Sequence, residues 1–520
     1  MQPRIENWQI SKPVIRSKGG IVASQSARAA RLGAEVLADG GNAVDAAVTT
    51  AFALSVFEPW MSGLGGIGYM LIYSAKEKKV HAIDFAAISP KKLDIAAYPL
   101  ASGGTDSDFF NWPAVKEGRN LKGPLSIAVP GAVDGLGLAH ERFGSKPWAE
   151  LLQPAIAAAK AGHPVDWWTT LRVAGEAVTI REFPTTAAVY MPNGLPPAQG
   201  EGAPLRLDMG HLADTMSRLA EAGRRDFYEG EIARAIAADM KEMGGFLDRD
   251  DLAAYKAHFA TPTQHKRGQG TIHLLPGLNA GPTFADTLAR LPADLGRNAS
   301  DADCFAAYAK ALTAAYQRRM ESMGHDGDMA GQGCTTHFSV VDAEGNMVSL
   351  TNTLLSVFGS KVVLPKTGVM MNNGINWFDP RPGRANSIAA GKRPLCNMSP
   401  ALVTKDGEGW FAIGASGGRR IFPAVFQLSL FLAERGMDLE TAMHAPRINV
   451  DGPDRIEAHP DLDASALAAL EKVAPVTLTE PTIVPTSYAT PQVVLREGGI
   501  NYGAAHPHSP AAAAITVLPG

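Results

Sequence analysis

Cysteine is scarce in this sequence, and neither a long apolar run nor a concentration of one charge is present. Cys304, Cys334 and Cys396 are the three cysteines in 520 residues, and their spacing fits neither a disulfide framework nor a zinc site. The N-terminal residues mix charge with scattered apolar side chains, unlike a secretory signal. The longest nearly uncharged run, residues 46–57, is too short to span a bilayer. These absences predict a cytoplasmic chain with no membrane partner.

Charge is too evenly distributed for nucleic-acid binding. The chain carries 48 Lys and Arg against 52 Asp and Glu, a net charge of −4, and its basic residues gather only in pairs such as Arg224-Arg225. Apolar residues make up 46% and charged residues 19%, which is typical of a globular protein with a sizeable core. No nucleic-acid partner is therefore expected.

Apolar periodicity in the first third predicts helices and paired strands. A strand at residues 21–24 leads into an amphipathic helix that ends near Gly40, because glycine tolerates the left-handed backbone of a helix end. An almost wholly apolar helix at residues 43–57 follows and should be buried. Two strands around a charged turn are predicted at residues 69–73 and 80–85.

The pattern changes from helix to strand in the last third. Residues 320–333 are Gly-rich and polar, which indicates an exposed, flexible loop. Hairpins are then predicted for residues 337–341 with 347–351 and 401–404 with 410–413, before a helix at 421–435 and a last strand pair at 492–495 and 513–517. This mixture of helices and hairpins indicates stacked layers and not a βαβ repeat.

Two glycine motifs could carry chemistry. Gly63, Gly65 and Gly68 match a dinucleotide fingerprint, but a strand and not a helix follows them, so nucleotide binding is not indicated. Ser416 lies in a G-x-S-x-G motif between a strand and a helix, as a hydrolase nucleophile would. Acids and bases for a triad are available downstream at Asp438, His444, Asp451 and His459. The same glycines could instead present backbone N–H groups to an oxyanion.

Thr335 stands where the glycine loop meets the first strand of the last third. A threonine hydroxyl inside a chain is a poor nucleophile. If the preceding peptide bond is cut, the new α-amine titrates near pH 8 and can serve as a local general base. On pattern alone the residues could also simply begin a strand.

Ordered motifs extend nearly from end to end of the chain. They include GGNAVDAAV and GLGGIGYMLI, then DFYEGEIARAI and GGFLDRDDLAAY, and finally TTHFSVVDAEGNMVSLTNTL, MMNNGINWF, KRPLCNMSP and GASGGRRI. In this order they resemble the γ-glutamyltransferase family, whose members are N-terminal-nucleophile enzymes made as single-chain precursors. The resemblance implies an α+β fold, the four-layer αββα sandwich, with two stacked mixed sheets between helices.

The resemblance also implies that the precursor is cut between Cys334 and Thr335. A large subunit of residues 1–334 and a small subunit of residues 335–520 would then form one αββα unit. Each subunit would be the other's partner, and two such heterodimers could pair.

Thr335 is implied to be the nucleophile and Thr353 the residue whose hydroxyl supports it. Gly417 and Gly418 take the place of the oxyanion-hole glycines, which makes Ser416 a loop residue. In the precursor the Thr335 hydroxyl would attack the preceding carbonyl, giving an ester that water hydrolyses. In the mature enzyme it would attack a substrate amide, and water or an amine would take the acyl group. No metal or organic cofactor is required.

The side of the pocket that binds an α-carboxylate departs from the family pattern. Ala86 stands where γ-glutamyl enzymes have a carboxylate-binding arginine, and Cys396-Asn397 replaces the serine pair that assists it. We predict that Arg419, beside the oxyanion glycines, or Arg393 receives a substrate carboxylate instead; a structural ion pair is the alternative role for Arg419.

The α-amine side departs as well. Leu355 replaces an asparagine, Gly374 a glutamine and Trp377 an aspartate, while Asn352 and Asn376 still line the predicted substrate pocket. A site stripped of hydrogen-bond partners loses discrimination for its former ligand. Because the catalytic residues are retained, the losses indicate a changed acyl group and not an inactive enzyme.

The sequence therefore predicts an autoprocessing amidohydrolase whose small-molecule amide substrate lacks the γ-glutamyl head group. An oxamate-like amide and an amide of a dicarboxylic acid both fit. The alternative is a γ-glutamyltransferase or glutathione hydrolase with an unusual pocket. A processed but inactive binding protein and a Ser416 esterase are the other classes considered.

Overall fold

The computed structural model of the chain describes residues 10–105, 112–293, 295–296, 298–322, 334–450, 452, 455–484 and 486–517. The strands within these ranges are β1 (Ile15–Ser17), β2 (Ile21–Ser24), β3 (Ile67–Ser74), β4 (Lys79–Phe85), β5 (Leu100–Thr105), β6 (Pro113–Val115), β7 (His163–Pro164), β8 (Arg206–Leu207), β9 (His258–Ala260), β10 (Thr263–Arg267), β11 (Gly270–Leu274), β12 (Cys334–Val341), β13 (Met347–Leu355), β14 (Ala401–Lys405), β15 (Glu408–Ser416), β16 (Ile448–Asn449), β17 (Ile456–Ala458), β18 (Val476–Leu478), β19 (Thr490–Glu497), β20 (Ile500–Ala505) and β21 (Ala513–Ile515).

The α-helices within the same ranges are α1 (Ala27–Ala38), α2 (Ala43–Phe57), α3 (Ala132–Phe143), α4 (Trp148–Ala161), α5 (Trp167–Ile180), α6 (Pro184–Tyr190), α7 (Leu212–Ala222), α8 (Glu231–Glu242), α9 (Arg249–Ala254), α10 (Gly281–Arg290), α11 (Asp301–Ser322), α12 (Ile421–Ala433), α13 (Leu439–His444) and α14 (Ala464–Glu471). In this part of the chain no helix is both long and apolar enough to cross a bilayer. The cytoplasmic location stays a prediction.

Two seven-stranded sheets form the centre of the molecule. One has the order β1-β20-β19-β15-β14-β11-β10 and the other the order β21-β2-β12-β13-β3-β4-β9. Every described strand pair in these two sheets is antiparallel, so the mixed sheets implied by the resemblance are wrong in this detail. Both sheets contain strands from before and after residue 334, so the two predicted subunits share one unit.

Apolar side chains on both faces of the sheets create the layers. On β3, Tyr69 and Leu71 point into an apolar cluster between the two sheets, and Met70 and Ile72 point into the core beneath α1 and α2. A strand that is apolar on both faces is expected when both faces are buried. Helix α12 covers β15 and β19 on the far side. The predicted αββα sandwich is therefore confirmed.

Local signals place most of the predicted elements correctly. Helix α2 covers the predicted residues, and the side chain of Asn42 caps it by accepting the N–H groups of Val44 and Asp45. The hairpins β3–β4, β12–β13 and β14–β15 are confirmed. Helix α11 extends to Ser322, so the predicted loop begins later than residue 320, and residues 323–333 lie outside the described residues.

The predicted last strand pair is wrong. β19 pairs with β20, and β21 pairs with β2 in the other sheet. Gly498 and Gly499 both have positive φ, 58° and 77°, which suits a two-residue turn between adjacent strands. This glycine pair is the local signal for a hairpin between β19 and β20, and it argues against pairing residues 492–495 with 513–517.

Candidate active site

Thr335 lies near the start of β12, beside an irregularity in its pairing with β13. The ladder register shifts between Cys334 and Thr336, so the regular ladder is interrupted at Thr335. The Thr335 hydroxyl lies 3.4 Å from Oγ1 of Thr353, and that oxygen accepts the N–H of Leu355 at 2.8 Å. The first distance is long for a hydrogen bond, as is common before substrate binds. The structure thus brings together the two threonines singled out from the sequence.

Gly417 and Gly418 follow directly from β15 in a backbone conformation that requires glycine. Their φ angles are 132° and 60°. A Cβ atom on Gly417 would lie 2.9 Å from Cα of Ala489. A side chain at Gly417 would therefore clash with the backbone of Ala489, and residue 417 itself would be held in a strained conformation.

Gln25 connects the glycine turn to the nucleophile strand. Its Oε1 accepts the N–H of His337 at 3.2 Å, and its Nε2 donates to Oγ of Ser416. His337 follows Thr335 closely in β12, and Ser416 precedes Gly417. The two glycines therefore lie at the same end of the stacked sheets as Thr335. No sequence motif singled out Gln25.

Ser416 itself is part of this scaffold. Its hydroxyl is hydrogen-bonded to Gln25 and to the hydroxyl of Thr490, and neither group can act as a general base. His444 and His459 line a different cavity, and Asp451 lies outside the described residues. The geometry favours an oxyanion cradle over a serine nucleophile.

Glu58 is a second residue that sequence reasoning missed. Its Oε2 accepts the hydroxyl of Thr336, next to Thr335, at 2.6 Å. Burial raises the pKa of Glu58 to about 7, although the Thr336 hydrogen bond and the charge of Arg172 oppose this. Glu58 and Gly417 line a common cavity of about 60 Å³. A buried carboxyl that titrates near neutral pH thus lies beside β12, the strand that contains Thr335.

The positions that depart from the family pattern form an apolar surface between the sheets. Ala86, Leu355, Trp377 and Cys396 belong to one apolar cluster, and each is at most 3% exposed. The Cys396 thiol donates to the hydroxyl of Tyr69 at 3.6 Å, and burial raises its pKa to about 11, so it is neutral at physiological pH. The structure brings these substituted residues together.

Gly374 is packed too closely for a longer side chain. A Cβ atom there would lie 2.7 Å from Cβ of Ala128 and 3.2 Å from Cβ of Ala87. The space that a glutamine would need is therefore filled.

Polar side chains predicted to line the pocket are also buried. Oδ1 of Asn352 has no partner among the described residues. Oδ1 of Asn376 accepts the side chain of Asn120 at 3.5 Å, and Oδ1 of Asn120 itself has no described partner. Nδ2 of Asn397 is buried and also lacks a described partner. Among the described residues, these side chains thus offer two unsatisfied acceptors and one unsatisfied donor.

Arg319, on α11, lies behind Asn397 and was not singled out from the sequence. Its guanidinium donates to Oδ1 of Asn397 at 3.3 Å and to the carbonyl of Cys396 at 2.5 Å. On its other side it donates to the carbonyl of Asn279 and the hydroxyl of Thr283. It is 3% exposed, and these four partners are all neutral. An arginine in the last turn of a helix gives no sequence signal of this kind.

The two arginines predicted to bind a carboxylate are placed differently. Arg393 donates to Oδ1 of Asp84 at 2.7 Å, so an ion pair already engages it. Arg419 is buried, its carbonyl accepts the hydroxyl of Tyr316, and its guanidinium lies 5.9 Å from the Tyr316 ring centre. Its role in binding stays a prediction.

The antiparallel four-layer sandwich is the fold of the N-terminal-nucleophile hydrolases. A solved structure, the cephalosporin acylase from Bacillus halodurans, superposes with a TM-score of 0.83 at 23% identity, over 99% of each chain. At that identity the likeness shows the fold alone.

Sequence comparison gives the family. The sequence model described as gamma-glutamyltranspeptidase matches residues 29–332 and 325–516. The chain is 32% identical to the glutathione hydrolase proenzyme of Escherichia coli K12, over 95% of this chain and 91% of that protein. It is 33% identical to the acylase ACY 1 proenzyme of Pseudomonas sp. V22, over 90% and 89%. The protein belongs to the gamma-glutamyltranspeptidase family and is an amide hydrolase.

Proposed function

We propose that the chain is an autoprocessing threonine amidohydrolase that acts on a small amide without a γ-glutamyl head group. The observation that carries this is the apolar cluster of Ala86, Leu355, Trp377 and Cys396. A zwitterionic head group needs donors for its carboxylate and acceptors for its amine, and burying it unpaired is costly. An oxamate-like or dicarboxylic acyl group, which has a carboxylate and no α-amine, fits this surface better.

The substrate's carboxylate is received by Asn397 with Arg319 behind it. Nδ2 of Asn397 is a buried donor without a described partner, and Oδ1 of the same side chain is held by Arg319. The described partners of Arg319 are all neutral, so an anion near Asn397 gains from its positive charge in a medium of low dielectric constant. Arg419 is a second candidate donor for the same anion.

The mechanism uses groups of the chain alone. After the bond between Cys334 and Thr335 is cut, the free α-amine of Thr335 takes the proton of the Thr335 hydroxyl as that oxygen attacks the amide carbonyl. Thr353 orients the attacking hydroxyl, and the N–H groups of Gly417 and Gly418 stabilise the oxyanion. Each good donor in such a site contributes about 3 kcal/mol to the transition state. The amine leaves with the proton, and water hydrolyses the acyl-enzyme.

Intact mass of the purified protein tests the processing step. We expect two fragments of 334 and 186 residues from the wild type, the second beginning at Thr335. Thr335→Ala should give one chain of 520 residues without turnover. A single uncut wild-type chain with full turnover on amides would refute the proposal.

A substrate panel tests the acyl group. We expect oxamate or a monoamide of a dicarboxylic acid to be hydrolysed faster than a γ-glutamyl anilide or a neutral amide. Arg319→Met should lower kcat/KM for the acidic amide by about 10²-fold and leave the neutral amide within about threefold. Arg318→Met is the matched control, because the Arg318 side chain is 68% exposed on the same helix. Equal loss for both substrates would show that Arg319 is merely structural, and Arg419→Ala is then the next variant.

Hydrolysis or transfer of γ-glutamyl groups is the second candidate. The unsatisfied Oδ1 of Asn352 could accept an α-amine, and the Escherichia coli relative is named a glutathione hydrolase. Turnover of the γ-glutamyl anilide at a rate equal to that of the acidic amides would favour this second function.

A further inference from the structure

A cavity rich in hydrogen-bond donors lies away from the apolar cluster. It has a volume of about 520 Å³, within the range of small-molecule sites. Helix α5, residues 443–447, residues 480–484 and residues 506–508 line it. Residues from both predicted subunits therefore form its wall.

Two buried side chains at this cavity have unsatisfied polar atoms. Nη1 of Arg447 and Nδ1 of His506 have no hydrogen-bond partner among the described residues. Arg447 is 5% exposed and His506 is 4% exposed. Leaving a buried polar group unpaired costs about 1–3 kcal/mol, and more for a charged one. Both side chains belong to the cavity wall, so a ligand bound in the cavity would meet these two incompletely paired groups.

The surroundings of these two groups are positive. Burial lowers the pKa of His506 well below its ordinary value, and Arg447, His508, Lys12 and His444 add to this. Burial also lowers the pKa of Arg447 to about 10, which leaves it charged at neutral pH. The acidic residues on the cavity wall are Asp461, whose side chain is 80% exposed, and Glu480. The buried end of the cavity is thus short of negative charge.

The cavity wall also has apolar, exposed side chains. Trp167 is 55% exposed, Leu171 37% and Val484 50%, and all three line the cavity. An inorganic anion has no apolar part to bury against them. A ligand with an anionic end and an apolar body would pair with the cationic side chains and cover the apolar ones at once.

We propose that this cavity is a second binding site, which takes a carboxylate with an apolar body. The carboxylate accepts hydrogen bonds from the guanidinium of Arg447 and from the imidazole of His506, and the body lies against Trp167 and Leu171. Arginine and carboxylate pair well because the guanidinium is planar and always charged. The site is separate from Asn397 and Arg319, so it does not depend on the proposed function.

Calorimetric titration with octanoate tests the site, with octanamide as the neutral isostere and inorganic phosphate as the compact anion. Octanoate should bind at least about tenfold more tightly than octanamide or phosphate. Arg447→Met should weaken octanoate binding by about tenfold or more. The matched control Arg455→Met should not, because Arg455 is paired with Glu457.

Trp167→Ala independently tests the contact with the apolar body of the ligand, because an exposed side chain can be removed without affecting folding. It should weaken octanoate and leave acetate unchanged. Equal binding of octanoate and octanamide, tighter binding of phosphate, or unchanged binding in a folded Arg447→Met variant would overturn the proposal. Loss of octanoate binding in Arg319→Met but not in Arg447→Met would place the ligand in the acyl pocket and overturn it as well.

Discussion

Replacing Glu58 by glutamine tests how much the buried carboxylate beside β12 lowers the free energy of unfolding. Burial raises its pKa from 4.5 to about 7. For a carboxyl with a raised pKa in the folded state, the folded state loses stability as pH rises from the unfolded pKa to the folded one. Ionisation of Glu58 therefore does not lower the unfolding free energy below pH 4.5, and it lowers it by the full amount above about pH 7.

The size of the cost follows from the two pKa values. The difference between 4.5 and about 7 corresponds to about 3 kcal/mol of unfolding free energy at 25 °C. Glu58 is 5% exposed, so little solvent screening reduces this figure. Glutamine has nearly the same shape, can still accept the Thr336 hydroxyl and does not ionise. Glu58→Gln should therefore be more stable than the parent by an amount that grows with pH.

Urea unfolding at several pH values between about 5 and 8 measures the effect. The Thr335→Ala background keeps both proteins as the same single chain. The difference in unfolding free energy between Glu58→Gln and its parent should increase by about 2.5 kcal/mol across this window, because part of the effect already occurs below pH 5. Glu408→Gln is the control, because hydrogen bonds from Lys78 and Tyr73 lower the pKa of Glu408 and its charge stays constant there. Parallel curves for Glu58→Gln and the parent would refute the reasoning.

Substitutions at three positions around Thr335 have distinct expected outcomes. Thr353→Ala removes the hydroxyl next to Thr335 and should lower kcat by about 10²-fold, whereas Thr353→Ser should keep most of it; steady-state kinetics on the best amide measures both. Gly417→Ala should lower kcat by about 10²–10³-fold, because its Cβ would meet Ala489 and displace the oxyanion donor. Ser416→Ala should keep kcat within about tenfold, because its hydroxyl only joins a scaffold. A loss in Ser416→Ala larger than in Thr335→Ala would favour a serine nucleophile.

Elements built from local signals could be predicted from the sequence. The hairpin that carries Thr335 and Thr353 follows from alternating apolar residues and a turn with Gly345, whose φ is 91°. The pairing of β21 with β2 could not be predicted, because residues 22 and 515 are far apart in sequence and nothing local specifies their contact. The positions of Thr353 and the glycines came from the family resemblance and not from periodicity.

The contacts that organise the candidate site were beyond sequence reasoning for the same reason. Gln25 reaches Ser416, and Glu58 reaches Thr336, across hundreds of positions. Arg319 meets Asn397 from a helix whose other residues are ordinary. Each side chain type is common in proteins, so only the folded geometry separates these residues from solvated ones. The order of the motifs predicted which strand ends carry the candidate catalytic residues, while the buried partners of those ends needed coordinates.

The substituted pocket positions depend on one another, which limits what single reversions can do. Leu355 has a φ of 90°, a conformation that costs a leucine about 1–3 kcal/mol and that asparagine tolerates better. Burying the leucine side chain in the apolar cluster offsets this by about 1.5–3 kcal/mol. An asparagine restored alone would face Trp377 and other apolar neighbours without partners. A glutamine restored at Gly374 would collide with Ala128. The pocket therefore behaves as one packed unit, and γ-glutamyl recognition should return only when several positions change together.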